Sequence, residues 1–200
     1  MARILALAAL CASVVAALTV GVGSAHAGLL GCSYPAAAQT FARWGDPHQY
    51  VPIGGGSFEG FGTWTLSGGA KIVSGNEPFY LGSATDSHSL VLPPGSSALT
   101  PGVCLTVLTP TMRFVGSSSD GSALRVTLYT KTLLGLVQLP TFGTIDLSSD
   151  WDASETTQFL LQNVLGLINL NQANIYFKFT PVGSATVRID DAYLDPFYGF

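Results

Sequence analysis

The sequence predicts an all-β protein that folds as an antiparallel β-sandwich. Short apolar runs recur at intervals of roughly 8–12 residues, as in sandwiches and barrels. Glycine and proline separate these runs, with 23 and 11 copies among 200 residues. The run 123–131 alternates apolar and polar residues, which is typical of a strand with one buried face. Many short strands with little helix favour two packed sheets of the jelly-roll type.

Predicted strands follow one another from a Gly54-Gly55-Gly56 turn to the C-terminus. Two apolar runs separated by Ser67-Gly68-Gly69 predict a hairpin. In chain order the predicted strands are 58–66, 70–73, 89–92, 103–108, 111–115, 123–131, 141–147, 174–180 and 185–194. The segment 155–170 has apolar residues at helical spacing, but Thr156, Thr157 and Gly166 weaken a helix there, so helix and strand both stay open.

Length and composition indicate one globular domain that makes no use of nucleic acid. Hydrophobic residues form 48% of the chain, which is enough for a sizeable core, and only 10% of residues are charged. The net charge of −4 gives no excess of basic residues with which to bind DNA or RNA. We expect an irregular N-terminal segment over 28–53 and the sandwich over 54–200.

The N-terminus has the pattern of a secretory signal peptide. Arg3 precedes an uncharged, alanine-rich apolar stretch over 4–22, and Ser24-Ala25-His26-Ala27 ends in an A-x-A site. We expect cleavage after Ala27, a secreted protein, and no transmembrane segment in the mature chain. Leu29-Leu30-Gly31-Cys32 loosely resembles a lipobox, so lipid anchoring through Cys32 is the alternative.

Two cysteines, Cys32 and Cys104, stay in the mature chain because Cys11 leaves with the signal. An even pair in an oxidising compartment usually forms a disulfide. The Cys32–Cys104 bond would close a loop of about 70 residues and contribute about 3–4 kcal/mol in the chain-entropy model.

Strand alternation nominates one candidate binding face. If Leu124, Val126 and Leu128 point inward, their odd-numbered neighbours share the opposite side. The same reasoning for 111–115 and 174–180 adds further outward residues. If these strands belong to one sheet, its outer face is basic and aromatic, with Arg113, Arg125, Tyr129, Lys131, Tyr176 and Lys178. An ordinary solvated sheet face is the other interpretation.

The three tryptophans divide by their surroundings. Trp64 lies in a predicted strand and is expected in the core. Trp44 and Trp151 lie in loop-like sequence and are candidates for exposed ligand contacts, although either could instead anchor a loop to the core.

Two segments carry a family likeness. Gly55-Gly56-Ser57-Phe58-Glu59-Gly60 with Trp64, and Ile189-Asp190-Asp191 followed by Asp195, resemble the first and last strands of galactose-binding-like jelly rolls, which include carbohydrate-binding modules. The Cys-Ser-Tyr-Pro start is similar to that of uncharacterised exported bacterial proteins. The resemblance implies a structural calcium ion held by Glu59 with Asp190 or Asp191.

These observations favour a non-catalytic binding protein, with polysaccharide or a cell-envelope glycan as its partner. The sequence has no HExxH motif, no G-x-S-x-G elbow and no set of residues that meets the requirements of an active site, so no catalytic cofactor is expected. A structural or surface-associated protein with protein contacts only is the first alternative. A hydrolase that uses an Asp pair is the second.

Overall fold

The computed structural model describes residues 32–60, 63–105, 110–159 and 173–197. The predicted signal peptide therefore lies outside the described residues. A short 3-10 helix spans Ala42–Trp44. The strands are β1 (Val51–Pro52), β2 (Thr65–Ser67), β3 (Lys71–Ser74), β4 (His88–Leu92), β5 (Ser97–Leu99), β6 (Val103–Leu105), β7 (Thr111–Ser118), β8 (Leu124–Thr132), β9 (Gly135–Ile145), β10 (Asp152–Ala153), β11 (Thr157–Gln158), β12 (Ala173–Pro181) and β13 (Val187–Asp195).

The strands form two antiparallel sheets. Sheet I has the order β10-β7-β13-β4-β3, with β1 paired to β13 and β11 paired to β7. Sheet II has the order β2-β5-β12-β8-β9, with β6 paired to β12. The chain passes repeatedly from one sheet to the other, as it does in jelly rolls. This arrangement confirms the predicted all-β, antiparallel sandwich of jelly-roll type.

The main core lies between the sheets and is built by the predicted alternation. Leu124, Val126 and Leu128 of β8 are fully buried, and so are three residues of the neighbouring strand β12. Those β12 residues are Ile175, Phe177 and Phe179. Met112 and Phe114 of β7 belong to the same cluster and reach it from sheet I. Packing of two inner faces is what fixes each strand's register, because a shift by one residue would turn the apolar set outward.

The hairpin predicted across Ser67-Gly68-Gly69 is wrong. β2 pairs with β5 in sheet II, whereas β3 pairs with β4 in sheet I, so this turn connects the two sheets. Gly68 and Gly69 both have positive φ, at 66° and 90°. A Cβ on Gly68 would lie 2.7 Å from the carbonyl oxygen of Gly95, so close approach of two backbones requires glycine there.

Residues 32–53 cover part of the outer face of sheet I. Phe41 and Tyr50 are fully buried and form a second apolar cluster with Val115 and Tyr193. The ring centroids of Phe41 and Tyr193 lie 5.8 Å apart. This outer layer explains why all eight residues of β7 are buried, on both sides of the strand.

The predicted disulfide is present between Cys32 and Cys104, whose Cα atoms lie 5.7 Å apart. The bond joins the N-terminal segment to β6, at the edge of sheet II. The Tyr34 hydroxyl donates to the Cys104 carbonyl at 2.9 Å and strengthens the same junction. The N-terminal segment is thus attached to both sheets, covalently to sheet II and by packing to sheet I.

The segment 155–170 is described only up to Phe159, and that part is not helical. Thr157–Gln158 forms β11 beside β7, and Phe159 is fully buried. Among the described residues, none forms a helix with the length and hydropathy needed to cross a bilayer.

Candidate functional site

Sheet II presents an outer face centred on two tyrosines. Tyr129 of β8 lies directly opposite Tyr176 of β12, so their side chains emerge as neighbours on one surface. The pairs Thr127–Lys178 and Arg125–Thr180 continue this register along the two strands. We call the surface formed by Arg125, Thr127, Tyr129, Lys131, Tyr176 and Lys178 the tyrosine face. Five of the six predicted face residues therefore do lie together.

The tyrosine face is basic within an acidic protein. It carries Arg125, Lys131 and Lys178, and two of these side chains are exposed and the third half-buried. None of the six strands of sheet II contains an aspartate or a glutamate, although the chain has twelve acidic residues. The positive charge of this face is therefore not offset by a carboxylate within its own sheet.

Each tyrosine ring is held by a specific neighbour. The Tyr129 hydroxyl donates to Oε1 of Gln138 on β9 at 3.2 Å. The Tyr176 ring lies over Gly102, where an added Cβ would be 3.0 Å from the ring carbon Cζ and the hydroxyl oxygen. Both side chains are half-buried, so one part of each ring is supported while another part faces solvent. Partly supported aromatic rings bind with little loss of side-chain entropy.

Arg113 is not part of this face, which corrects the sequence-based expectation. It points outward from its strand as predicted, but that strand, β7, belongs to sheet I. The N-terminal segment covers the residue, and Arg113 is 7% exposed. Its Nη1 donates to Oδ2 of Asp46 at 2.8 Å, and its Nε donates to the Ser154 carbonyl at 2.8 Å. Alternation gave its direction correctly but could not reveal the layer that covers it.

Asp46 is the centre of a dense hydrogen-bond network. Its carboxylate accepts the Tyr50 hydroxyl at 2.8 Å, the His48 backbone N–H at 3.0 Å and the Arg113 guanidinium. Burial alone would raise the pKa of Asp46, but the hydrogen bonds from His48, Tyr50 and Arg113 outweigh it and hold that pKa well below its ordinary value. Asp46 is therefore ionised as a buried partner of Arg113.

A cavity of about 480 Å³ lies beside this network. Its lining includes Trp44, His48, Arg113, Thr156 and Gln158. Asp46 and Arg113 also line the cavity, and their opposite charges compensate one another. The cavity is on the sheet I side of the molecule, separate from the tyrosine face.

Trp44 and Trp151 also lie on the sheet I side. The indole N–H of Trp44 donates to Oδ1 of Asp152 at 2.8 Å, and its ring meets Phe79 edge-on at 4.9 Å between centroids. The Arg188 guanidinium carbon lies 5.1 Å from the centroid of the Trp151 ring. Both rings pack against the second apolar cluster, so the structure places them with the N-terminal segment and not beside Tyr129.

Buried carboxylates gather where β13 meets the β3–β4 connection. Glu77 and Asp190 are fully buried, and Asp191 is nearly so. The Glu77 N–H donates to Asp190 at 3.2 Å, and Glu77 itself accepts the backbone N–H groups of Phe79 and Leu81. Among the described residues, none of these three carboxylates forms an ion pair with a basic side chain. We call Glu77, Asp190 and Asp191 the acidic cluster.

Burial governs the protonation of Asp190 and Asp191. Burial, followed by the negative charge of Asp191, raises the pKa of Asp190 to about 8. Burial, followed by the hydrogen bond to Glu77, raises the pKa of Asp191 to about 7. Asp191 also has a positive φ of 47°, an uncommon backbone conformation that only a few residue types tolerate.

Glu59, the third predicted calcium ligand, has different partners. Its carboxylate accepts the backbone N–H groups of Ser87 and His88, each at 2.6 Å, and contacts the His88 ring at 3.0 Å. Within the ranges that the structure describes, no group of three or more His, Cys, Asp or Glu side chains is arranged to hold a metal ion. Asp190 and Asp191 are adjacent as expected, and Glu77 is their carboxylate neighbour.

Sequence reasoning missed Asp46 and Glu77 as organising residues. Both are single acidic residues in irregular segments, and each combines local partners within four positions with a partner from a strand distant in the chain. Asp46-Pro47 and Glu77-Pro78 did offer a local signal, because an acidic residue before proline often begins a turn. That signal indicates a turn but not the buried partner.

Neither a family model nor a curated protein matches this chain. Several solved structures are similar to it at low identity. The family 11 carbohydrate-binding module of the Clostridium thermocellum cellulase Lic26A-Cel5E has 15% identity and a TM-score of 0.40, and the match covers 70% of this chain and 91% of that module. The N-terminal cellulose-binding domain of Cellulomonas fimi β-1,4-glucanase C has 19% identity and a TM-score of 0.42, with 75% and 99% covered. The C-terminal family 6 module of the Zobellia galactanivorans laminarinase LamC has 8% identity and a TM-score of 0.44, with 73% and 98% covered. At these TM-scores the similarities carry no conclusion about what this chain binds.

Proposed function

We propose that this chain is a non-catalytic binding module for a glycan or cell-envelope polysaccharide, and that the tyrosine face is its binding surface. The observation that carries the proposal is the direct pairing of Tyr129 with Tyr176 among three basic side chains. Aromatic rings offer flat apolar surfaces, and a small number of polar groups around them fix the orientation of a ligand.

The charge of the face favours an acidic polysaccharide. Arg125, Lys131 and Lys178 lie on a sheet whose strands contain no carboxylate. A guanidinium donates two parallel hydrogen bonds to a carboxylate or phosphate, whereas a neutral sugar offers only hydroxyl groups. We therefore expect stronger binding to polymers that carry uronic acid or phosphate groups than to neutral glucans.

Affinity electrophoresis against paired neutral and acidic polysaccharides tests the proposal. The purified mature chain should be retarded by at least one acidic polymer. Tyr129→Ala and Tyr176→Ala should each weaken retention about tenfold, because each removes one aromatic contact surface. Tyr80→Ala is the matched control, since Tyr80 is 50% exposed but lies in the β3–β4 connection.

Three outcomes would overturn the proposal. Unchanged retention in both tyrosine variants, with folding verified by circular dichroism, would remove the tyrosine face from the binding site. An absence of retention on every polysaccharide would favour a structural protein with protein contacts only. Release of sugar or acyl groups from a polymer, abolished by one carboxylate substitution, would indicate a hydrolase instead.

We also propose that the chain is secreted after cleavage at Ala27. The Cys32–Cys104 disulfide supports export, because such bonds persist in oxidising compartments. The disulfide uses the sulfur that a lipid thioether at Cys32 would need. Mass spectrometry of the exported protein should find Gly28 at the N-terminus and no lipid mass, whereas a lipidated Cys32 would refute this proposal.

A structural calcium ion at Asp190 and Asp191 is a separate proposal, with Glu77 taking the place of Glu59 as the nearest carboxylate. Its support is that these buried carboxyl groups lie close together and form no ion pair with a basic side chain among the described residues, so a bound cation would favour their ionised forms and calcium prefers several oxygen ligands. Excess calcium should raise the melting temperature above that measured in EDTA. Magnesium is the control, and an Asp191→Asn variant should lose the calcium response. A melting temperature unaffected by calcium would refute the site.

A further inference from the structure

The hairpin that joins β8 and β9 ends in an exposed apolar tip. Leu133 and Leu134 occupy the two turn positions and are 106% and 99% exposed. Leu136 and Val137 follow on β9 and are about half exposed. Of the six large apolar residues exposed on the described surface, these four lie within five consecutive positions. Exposed apolar clusters of this kind mark interaction sites.

The Thr132 side chain hydrogen-bonds two backbone groups of the turn within the hairpin. The Thr132 hydroxyl donates to the Gly135 carbonyl at 3.0 Å and accepts the Leu134 N–H at 3.2 Å. Gly135 takes the positive φ of 111° that closes the turn. A turn whose polar groups are bonded internally can leave water at a lower cost than an open loop.

The positive charge of the residues near the tip favours an anionic lipid surface as the partner. No aspartate or glutamate occurs between Asp120 and Asp146, a stretch that contains the whole hairpin, whereas Arg125 and Lys131 lie on β8. A narrow two-residue turn also cannot supply the roughly 800 Å² per partner of a stable protein interface. A lipid surface does not require shape complementarity and can accommodate protruding leucine side chains. When the lipid surface is anionic, it also attracts nearby basic side chains.

We propose that the apolar tip of the β8–β9 hairpin, formed by Leu133, Leu134, Leu136 and Val137, inserts into the interface of an anionic lipid bilayer. Leu133 and Leu134 enter the acyl boundary, and Lys131 lies at the level of the headgroups. The tip is at one end of the hairpin, so binding of lipid would involve Lys131 but leave Tyr129 and Tyr176 on the outer face of sheet II accessible. This inference does not depend on the proposed glycan function.

Cosedimentation with vesicles tests the inference, with phosphatidylcholine vesicles that contain phosphatidylglycerol compared with phosphatidylcholine alone. The full mature chain should bind the anionic vesicles more strongly. The double variant Leu133→Ser/Leu134→Ser should reduce the partition coefficient roughly 100-fold, since each buried leucine accounts for about tenfold or more. Both residues are fully exposed, so the melting temperature should not change.

Tyr80→Ser is the matched control, because it removes an exposed apolar side chain from the β3–β4 connection. It should bind vesicles as the wild type does. Equal vesicle binding by wild type and the double leucine variant would overturn the inference. So would an absence of vesicle binding together with dimerisation that the leucine variant abolishes, because the tip would then contact a second copy.

Discussion

Replacement of Arg113 by methionine should destabilise the protein strongly. The substitution removes the 2.8 Å ion pair with Asp46, the hydrogen bond to the Ser154 carbonyl, and the contact of the guanidinium with Phe41 at 4.7 Å from the ring centroid. It leaves the Asp46 carboxylate buried without a cationic partner. Breaking one side of a buried ion pair costs about 3–5 kcal/mol, a large share of the about 5–15 kcal/mol that stabilise a typical domain.

Urea unfolding at neutral pH measures this loss. Arg125→Met makes the same chemical change on the exposed tyrosine face and should cost less than about 1 kcal/mol. The double variant Asp46→Asn/Arg113→Met should be more stable than Arg113→Met alone, because it also removes the buried charge. A loss under about 1 kcal/mol for Arg113→Met would contradict the view that this pair anchors the N-terminal segment.

The pH dependence gives a second and independent check. Asp46 has a pKa below its ordinary value in the folded state, so its ionised form stabilises the fold above the unfolded pKa of about 3.9. This stabilisation is lost as the pH falls through the lowered pKa. Without Arg113 the pKa of Asp46 should rise, so the difference between wild type and Arg113→Met should shrink as the pH falls from about 7 to about 3. A difference that does not change with pH would refute this explanation.

Three further predictions concern the disulfide, the tyrosine face and its charge. The double variant Cys32→Ser/Cys104→Ser should lose about 3–4 kcal/mol of unfolding free energy in urea, and dithiothreitol should destabilise the wild type alone. Gly102→Val should displace the Tyr176 ring and weaken retention on an acidic polysaccharide severalfold, with little change in melting temperature. Retention equal to that of the wild type would show that the position of the Tyr176 ring is unimportant for binding. Added sodium chloride should weaken retention on acidic polymers but not on neutral ones, because salt screens exposed charges; equal effects on both would argue against a role for Arg125 and the lysines.

Strands β8 and β12 of sheet II could be predicted because their own sequences contain the alternation, whereas β5 is absent from the predicted strands. Leu124, Val126 and Leu128 are buried, whereas Arg125 and Lys131 are exposed and Tyr129 is half-buried, as the alternation predicts. For Arg113 the alternation gave the direction of the side chain but not its surroundings, since a strand's own pattern does not say which sheet it joins or which segment covers it. Ser67-Gly68-Gly69 failed for a related reason. A glycine turn can connect two strands of one sheet or of two sheets, and only the pairing partners distinguish these cases.

The same limit applies to the acidic residues, whose hydrogen-bond partners and protonation states depend on the folded structure. Asp190 and Asp191 could be singled out because they are adjacent in the last strand. Glu77 could not, because its link to Asp190 spans 113 positions of the chain. Burial and partner identity are properties of the folded molecule, and these two properties decide whether a carboxylate is charged.

The uneven distribution of carboxylates has a consequence for the approach of a partner. The chain carries a net charge of −4, yet the six strands of sheet II contribute only positive charges. We expect a polyanion to be attracted toward the outer face of sheet II and repelled by the net negative charge of the rest of the chain. Such a field orients the two partners during diffusional encounter. The orientation raises the rate of productive encounters and suppresses unproductive ones.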